Sequence, residues 1–291
     1  DKSDLVMVGP ATANIIGKIA NGIADDLLST IITAVTSPVI IAPAMNVNMY
    51  NNEIIQENID YLQEKGYEVL TPSDGMLACG YTGKGRLPEP EVLTEYILKG
   101  LTEKDLTDKK VLVTAGPTQE SLDPVRYITN YSSGKMGYAL AKRASYRGAE
   151  VKLISGPTNL DPPLEVEFES IESAEDLYEA VMAEYEDYDM IIMAAAVADF
   201  SPENISEDKI KKNTEDYFML ELKKTKDILK EISRSKKDGQ TIVGFAAESR
   251  DLVENAKSKM ERKDMDMIVA NDIKNKDIFG SDESEVIIMT K

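Results

Sequence analysis

The chain has 291 residues, of which 42% are hydrophobic, and a formal net charge of −19. This acidity argues against a general nucleic-acid binder, and no apolar stretch is long enough to cross a bilayer. The complete absence of histidine excludes His-based acid–base catalysis, Ser-His-Asp triads and His-containing metal sites within this polypeptide. A single cysteine excludes an internal disulfide and a thiolate zinc cage, and it favours a reducing cytoplasm.

The first hundred residues alternate between short apolar runs and amphipathic stretches, the pattern of a parallel sheet with covering helices. The predicted elements are a strand at 5–9, a helix at 11–34 interrupted near Gly22, a strand at 39–42, a helix at 52–64, a strand at 67–70 and a helix at 91–99. Three strands are few for such a sheet. We therefore expect this domain, residues 1–104, to be cut short at its N-terminal side.

A polar linker at 102–110 precedes a second α/β domain, residues 105–291, whose C-terminal end we also expect to be truncated. Strands are predicted at 110–115, 151–155, 190–195, 241–246, 267–270 and 286–289. Helices are predicted at 135–147, 174–184, 227–233 and 252–263. Between them, 200–222 is a long, charged and mostly irregular insertion, a length typical of lids and oligomer contacts.

The most informative segment runs from Val111 to Gly137. An apolar strand passes into a glycine turn at Gly116, and a long connection then delivers a Ser-Ser-Gly-Lys-Met-Gly loop to the start of a helix. Unpaired backbone N–H groups and the helix dipole meet at such a junction and favour an anion. Arg126 and Lys135 flank it, so a phosphate or carboxylate ligand is predicted there.

Three groups fall where parallel strands of the second domain end: the Gly116 turn with its loop, the Ala-rich run ending at Asp199, and the segment around Phe245. Each alone is typical of tight helix–sheet packing with a cap, but all three at one edge favour a nucleotide site. Lysines are usually solvated. Lys209 in the insertion could instead fold over a triphosphate, and Lys259 and Lys263 share one helix face.

Two residues of the first domain could carry chemistry. Asn46 ends the Pro-Ala-Met-Asn segment that directly follows the strand at 39–42, so its amide is expected at the ligand edge, although capping of the next turn is an equal alternative. Cys79 lies in a glycine-rich segment that we interpret as a mobile flap. A lone cysteine is often a small buried hydrophobe, but neighbouring Lys84 and Arg86 favour an exposed, reactive thiol.

These motifs together resemble the bifunctional coenzyme A biosynthesis proteins, in which a phosphopantothenoylcysteine decarboxylase is fused to a phosphopantothenate–cysteine ligase. The resemblance covers essentially the whole chain. It implies an α/β fold, with a Rossmann-like parallel-sheet ligase domain preceded by an incomplete flavodoxin-like domain. The motifs that carry it are PAMN with the following Met49-Tyr50, LACG, DPVRYITNYSSGKMG, AAVADF and KIKK.

For the ligase half, the resemblance implies that CTP activates 4'-phosphopantothenate as an acyl-cytidylate, which L-cysteine then attacks. Lys209, Lys259 and Lys263 would neutralise the triphosphate, and Mg²⁺ would bridge its oxygens. Arg126 and Asn130 would act at the acyl-phosphate. The remaining nucleotide-binding residues implied by the resemblance are Met193, Ala194, Ala195, Asp199, Lys226, Asp227, Ile228, Leu229 and Phe245.

For the decarboxylase half, the resemblance implies FMN chemistry with Cys79 as proton donor and Asn46 on the substrate carboxylate. Thr12 and Asn14 resemble the flavin-side turn. The family's phosphate-binding turn for FMN and its catalytic histidine are not in these residues, so we expect decarboxylation only in the complete protein. Ligase dimers and decarboxylase trimers are the oligomers that the resemblance implies.

Two other functions fit parts of the pattern. An NAD-type oxidoreductase would use alternating strands and helices with a glycine loop, but no compact GxGxxG follows the first strand of the second domain. A catalytically silent, flavoprotein-like regulatory subunit would keep the fold without the chemistry. Against it, Asn130, Asp199 and Lys209 are all present.

Overall fold

The computed structural model describes residues 2–76, 82–211, 218–248, 251–272, 280–281 and 283–291. The chain divides into two compact units, Asp1–Glu103 and Lys104–Lys291. Across the described ranges, the helices are too short or too polar to span a membrane.

The first unit is built on a three-stranded parallel sheet with the order β1-β2-β3. Its elements in chain order are β1 (Val6–Ala11), α1 (Ala13–Ala20), α2 (Leu27–Ala34), β2 (Val39–Pro43), α3 (Val47–Tyr50), α4 (Glu53–Glu64), β3 (Glu68–Val69), β4 (Ser73–Met76), β5 (Thr82–Arg86) and α5 (Pro90–Leu101).

The central strand β2 is buried along its whole length because helices cover both of its faces. Alternate side chains of a strand point to opposite faces. Ile41 accordingly packs in a cluster with residues of α1 and α4, whereas Ile40 packs on the other side against Leu93 and Tyr96 of α5. A continuous apolar run is what a two-sided parallel strand requires.

One prediction for this unit is confirmed and another needs correction. The interruption predicted near Gly22 separates two helices: α1 ends before Gly22, which has a φ of +66°, and a capping box at Asp26 starts α2. The segment interpreted as a flap has regular flanks, since β4 and β5 pair as an antiparallel hairpin. Cys79 itself lies outside the described residues.

The second unit is a seven-stranded sheet with the order β10-β9-β6-β11-β14-β15-β16. Its elements in chain order are β6 (Lys110–Ala115), β7 (Gln119–Asp123), β8 (Arg126–Thr129), α6 (Lys135–Tyr146), β9 (Glu150–Ser155), β10 (Glu167–Ser170), α7 (Ala174–Glu184), β11 (Met190–Met193), β12 (Phe200–Pro202), β13 (Leu222–Lys224), α8 (Ile228–Arg234), β14 (Thr241–Glu248), α9 (Leu252–Lys263), β15 (Met267–Asp272) and β16 (Val286–Thr290).

Six strands of this sheet run parallel, and only β16 pairs antiparallel, with β15. The chain leaves β6 toward β9 and β10 on one side, then returns to place β11 on the other side of β6. This reversal is a topological switch point, where open α/β sheets form a crevice at the carboxyl ends of their strands. Helices cover both faces, with α6 against Val111 and Val113, and α7, α8 and α9 against Leu112 and its neighbours.

Three features of this unit differ from the sequence prediction. The long connection before α6 contains the antiparallel hairpin β7–β8, and strand β10 extends the sheet beside β9. The insertion predicted as irregular is closed at its base by β12 and β13, which pair antiparallel. Each is a short, polar or half-exposed pairing, and such strands lack the apolar run that identifies a buried one.

Candidate functional site

A cavity of about 480 Å³ lies where β11 and β14 end, next to the switch point. Its size is in the range of small-molecule sites. It is lined by Met193, Ala195, Val197, Ala198, Asp199, Phe200, Lys224, Thr225, Lys226, Asp227, Ile228, Leu229, Phe245, Lys259 and Lys263.

The segment after β11 is fixed by the hydroxyls of two buried threonines. The amide of Ala195 donates to Thr114 Oγ1 at 3.2 Å, and the amide of Ala198 donates to Thr118 Oγ1 at 3.0 Å. Between them, the amide of Ala196 donates to the carbonyl of Gly116 at 2.8 Å. The Gly116 turn therefore holds the cavity wall in place, and small side chains keep that wall open.

Thr225 attaches the stretch before α8 to the same segment. Its hydroxyl donates to the carbonyl of Ala198 at 2.6 Å, and its amide donates to the carbonyl of Asp199 at 3.1 Å. This attachment carries the following residues, Lys226 and Asp227, to the cavity before α8 begins.

Each of the three predicted cations in the cavity has a partner. Lys259 Nζ donates to the carbonyl of Phe245 at 2.8 Å, and Lys263 Nζ lies 2.9 Å from Asp227 Oδ1. Lys226 pairs with Glu175 and lies 4.1 Å from the centre of the Tyr178 ring. The pair with Glu175 raises the pKa of Lys226. Lys226, Lys259 and Lys263 thus gather at one cavity of an otherwise acidic protein, although they come from different elements.

Burial pushes the pKa of Asp227 upward, but the hydrogen bond and the charge of Lys263 outweigh burial, so the pKa lies below its ordinary value. Asp227 is therefore an anion at neutral pH. The same oxygen, Oδ1, also accepts the amide of Lys230 at 3.2 Å and caps α8.

Asn130 lies beside the cavity wall and does not line the cavity. Its amide nitrogen donates to the carbonyls of Ala196 and Val197, both at 3.1 Å. The side chain therefore supports the segment that carries Ala195 and Asp199. A role at a reacting carbonyl stays a prediction.

Arg126 is held by Asp123, whose side chain is fully buried. The Asp123 carboxylate accepts Arg126 Nε at 3.0 Å and the amide of Ile210 at 3.0 Å, and the Arg126 guanidinium also donates to the carbonyl of Ile210. The hydrogen bond from Arg126 keeps the pKa of Asp123 well below its usual range. Asp123 thus ties the β7–β8 hairpin to the stretch that contains Lys209.

Lys209 and Ala194 are the two predicted nucleotide-binding residues that do not line the cavity. Lys209 is exposed next to Ile210. The other predicted nucleotide-binding residues share one cavity: Met193, Ala195, Asp199, Lys226, Asp227, Ile228, Leu229, Phe245, Lys259 and Lys263.

The predicted anion junction forms where expected, although it is separate from the cavity lining. A Cβ on Gly134 would lie 3.4 Å from the backbone of Gly116, and both glycines have positive φ values. A Cβ on Gly137 would lie 2.5 Å from the Cβ of Ala115. Gly134 has no side chain to cap α6, and the amides of Gly134 and Lys135 donate to Ser132 Oγ at 3.3 Å and to Ser133 Oγ at 3.5 Å. Close helix–strand packing and an anion site are both compatible with this arrangement.

In the first unit, the side chain of Asn46 caps α3 by accepting the amide of Asn48 at 2.8 Å, the alternative weighed from the sequence. Thr12 caps α1 by accepting the amide of Ile15 at 3.4 Å, and Asn14 is exposed beside it. Cys79 cannot be placed relative to them because it lies in the undescribed stretch 77–81.

Sequence reasoning overlooked the residues that position this site. Asp123 could have been found, because an Asp-Pro pair is a turn signal and its Oδ1 accepts the amide of Val125 at 2.8 Å. Thr114, Thr118 and Thr225 carry no such signal, since buried strand and turn threonines are common. Their partners lie from 27 to 81 residues away in the chain.

No group of three or more acidic or thiol side chains able to hold a metal occurs among the described residues.

Fold and cavity define a Rossmann-like α/β protein with a ligand-sized crevice at the carboxyl ends of its parallel strands. Residues 106–291 match the family model described as the DNA/pantothenate metabolism flavoprotein C-terminal domain, and residues 1–102 match the Flavoprotein model. The chain belongs to the family of bifunctional coenzyme A biosynthesis proteins.

Relatives support this membership over the whole chain. The coenzyme A biosynthesis bifunctional protein CoaBC of Bacillus subtilis is 51% identical over 100% of this chain and 72% of its own length. Its namesake from Vibrio cholerae is 46% identical over 93% of this chain and 68% of its own length. A crystal structure of the C-terminal domain of CoaBC is 44% identical, with a TM-score of 0.53, covering 64% of this chain and 88% of that domain.

Proposed function

We propose that the second unit joins 4'-phosphopantothenate to L-cysteine at the expense of CTP and yields 4'-phosphopantothenoylcysteine. The substrate carboxylate attacks the α-phosphorus of CTP, and pyrophosphate leaves. The cysteine amine then attacks the acyl carbon of the acyl-cytidylate, loses a proton and displaces CMP. The observation that carries the proposal is the cavity at β11 and β14, which gathers the small residues, carboxylates and lysines that a nucleotide needs.

In this proposal the residues that line the cavity have different tasks. Ala195 lets the nucleotide approach the backbone, Asp199 accepts hydrogen bonds from sugar or base, and Phe245 offers an apolar surface. Lys259 and Lys263, four residues apart on α9, neutralise the phosphates that leave. Mg²⁺ supplies charge neutralisation on the phosphate oxygens. This is positioning and electrostatic stabilisation, which needs no histidine.

For the first unit we propose the FMN-dependent decarboxylation of the ligase product to 4'-phosphopantetheine in the complete protein. When bound, FMN would oxidise the substrate thiol, which makes loss of CO₂ easy, and the reduced flavin would then return both electrons to the decarboxylated product. The match of residues 1–102 to the Flavoprotein family model supports this assignment. Thr12 and Asn14 are exposed at the start of α1 and could contact the flavin, and Asn46 and Cys79 keep the roles proposed from the resemblance.

The ligase proposal is tested by following pyrophosphate release with phosphopantothenate and each nucleoside triphosphate, with and without cysteine. With CTP and phosphopantothenate but no cysteine, we expect release of about one pyrophosphate per site. When cysteine is added, we expect continued turnover. No pyrophosphate with any nucleotide would refute the ligase assignment, and a preference for ATP would refute the choice of CTP.

Replacing Lys259 with glutamine should lower kcat/KM for CTP by about 10- to 100-fold, because a charge-assisted hydrogen bond to phosphate is worth about 1.5–3 kcal/mol. The matched control is Lys257→Gln, which removes the same charge from an exposed position of the same helix. Steady-state kinetics with varied CTP measures both. Equal losses in the two variants would mean that only the overall charge matters.

A further inference from the structure

The two phosphate-binding lysines proposed on α9 have chemically different partners. Lys259 donates to a neutral carbonyl, that of Phe245, whereas Lys263 pairs with the Asp227 carboxylate. The Lys263 side chain is only 18% exposed and that of Asp227 is 42% exposed, so a largely covered ammonium group meets a half-exposed carboxylate in the cavity lining. A bound polyphosphate would therefore compete with the Asp227 carboxylate for Lys263.

Asp227 is placed for this competition by two separate attachments. Thr225 anchors the chain just before Asp227, and Asp227 Oδ1 caps α8 by accepting the amide of Lys230. It remains an anion that lines the cavity together with Lys263. Its charge therefore has the same sign as that of the ligand, and the two anions compete for one ammonium group.

We propose that the Asp227 carboxylate is an exchangeable counter-ion for Lys263. It holds this lysine at the cavity wall before the nucleotide binds, yields it to a phosphate of the bound triphosphate, and takes it back when pyrophosphate leaves. Asp227 is thus a positioning residue that acts through Lys263. The inference rests on the nucleotide site of the proposed function, because it requires a polyphosphate in this cavity, but it does not require the ligation step.

Exchange has a direct consequence for affinity. Without the carboxylate, Lys263 is available to phosphate from the start, and the like-charge repulsion disappears. Asp227→Asn should therefore bind CTP and inorganic pyrophosphate more tightly, each by about 3- to 10-fold. Cytidine, which has no phosphate, should bind equally to both proteins. Asparagine is as good an N-cap as aspartate, so α8 is retained.

The experiment is isothermal titration of the full chain with CTP, pyrophosphate and cytidine. Four proteins are compared: wild type, Asp227→Asn, Lys263→Gln and the double variant. Asp227→Asn should increase the affinity for CTP and pyrophosphate when Lys263 is present, and should increase it little when Lys263 is replaced by glutamine. The difference between the two increases measures the coupling between Asp227 and Lys263. Glu186→Gln is the charge-matched control, since it removes one carboxylate from an exposed lysine pair, with Lys237 at 3.1 Å.

Unchanged or weaker pyrophosphate binding by Asp227→Asn would overturn the inference, as would an equal gain in the Lys263→Gln background or in Glu186→Gln. The turnover assay separates this outcome from failure of the proposed function. If the wild type binds pyrophosphate with the expected dependence on Asp227 but releases none from CTP and phosphopantothenate, the ligase proposal fails and the exchange stands. If turnover is normal and Asp227→Asn binds like wild type, only the exchange fails.

Discussion

Replacing Gly156 with alanine is expected to destabilise the second unit by about 3 kcal/mol and to lower its thermal midpoint by about 6–12 °C. A Cβ at this position would lie 1.8 Å from the carbonyl oxygen of Pro117 and 2.8 Å from its carbonyl carbon. These are backbone atoms of the turn after β6, so no side-chain rotation can relieve the overlap. The turn must move or the chain at Gly156 must shift.

A shift there would reach the candidate site, because the neighbouring carbonyl of Gly116 accepts the amide of Ala196. Calorimetry of the full chain gives the midpoint, and hydrogen exchange at 116–118 and 194–198 locates the change. Gly17→Ala is the matched control, since nothing lies within 4 Å of a Cβ there and α1 should gain up to about 1 kcal/mol. An unchanged midpoint for Gly156→Ala would show that the close approach is absent in solution.

Replacing Asn130 with aspartate is expected to lower kcat/KM of the ligase reaction by about 30- to 1,000-fold, and to weaken CTP binding as well. The amide donates to two carbonyl oxygens, of Ala196 and Val197. A carboxylate cannot donate and would place a negative charge against both. Loss of the two hydrogen bonds together with the new repulsion should raise the activation free energy of the ligase reaction by about 2–4 kcal/mol.

From the sequence and the resemblance alone, this substitution would leave CTP binding intact and stall only conversion of the acyl-cytidylate. The observed hydrogen bonds argue instead that the cavity wall itself loosens. Titration with CTP discriminates between the two: wild-type affinity together with lost turnover would support a purely catalytic Asn130. Asn52→Asp is the matched control, because that side chain accepts the amide of Ile54 at 3.1 Å and an aspartate does the same.

The helices and buried strands of this protein follow directly from local sequence patterns. β6 and β9 are each buried at five successive positions, and these are apolar except for Thr114 in β6 and Lys152 and Ser155 in β9. Mostly apolar strands of this kind are what a parallel sheet with covering helices requires. α7 begins with a Ser173 capping box, and α9 begins and ends as predicted. The hairpins and β10 were not predictable in this way, since their residues are polar or half-exposed and their pairing depends on partners brought together by the fold.

In the candidate site too, some features could be predicted from local sequence and others depend on the assembled fold. Asp199, which follows β11, and Phe245, which lies in the C-terminal half of β14, could be assigned to one edge because the carboxyl ends of parallel strands meet there. The shared helix face of Lys259 and Lys263 follows from their spacing. The partners of these lysines could not be predicted, because Asp227 and Phe245 lie on other elements and reach them only after the sheet has assembled.

Taken by itself, the sequence determined the two α/β units, the parallel sheet and the family, because apolar periodicity, turn residues and motifs are local properties of the chain. The tertiary structure alone decided that Asn130 holds the cavity wall, that Asp123 restrains Arg126, and that Lys263 is paired before any ligand binds. The physical reason is distance along the chain. Hydrogen bonds and ion pairs between remote segments depend on packing, and a one-dimensional pattern does not encode which oxygen a side chain will meet.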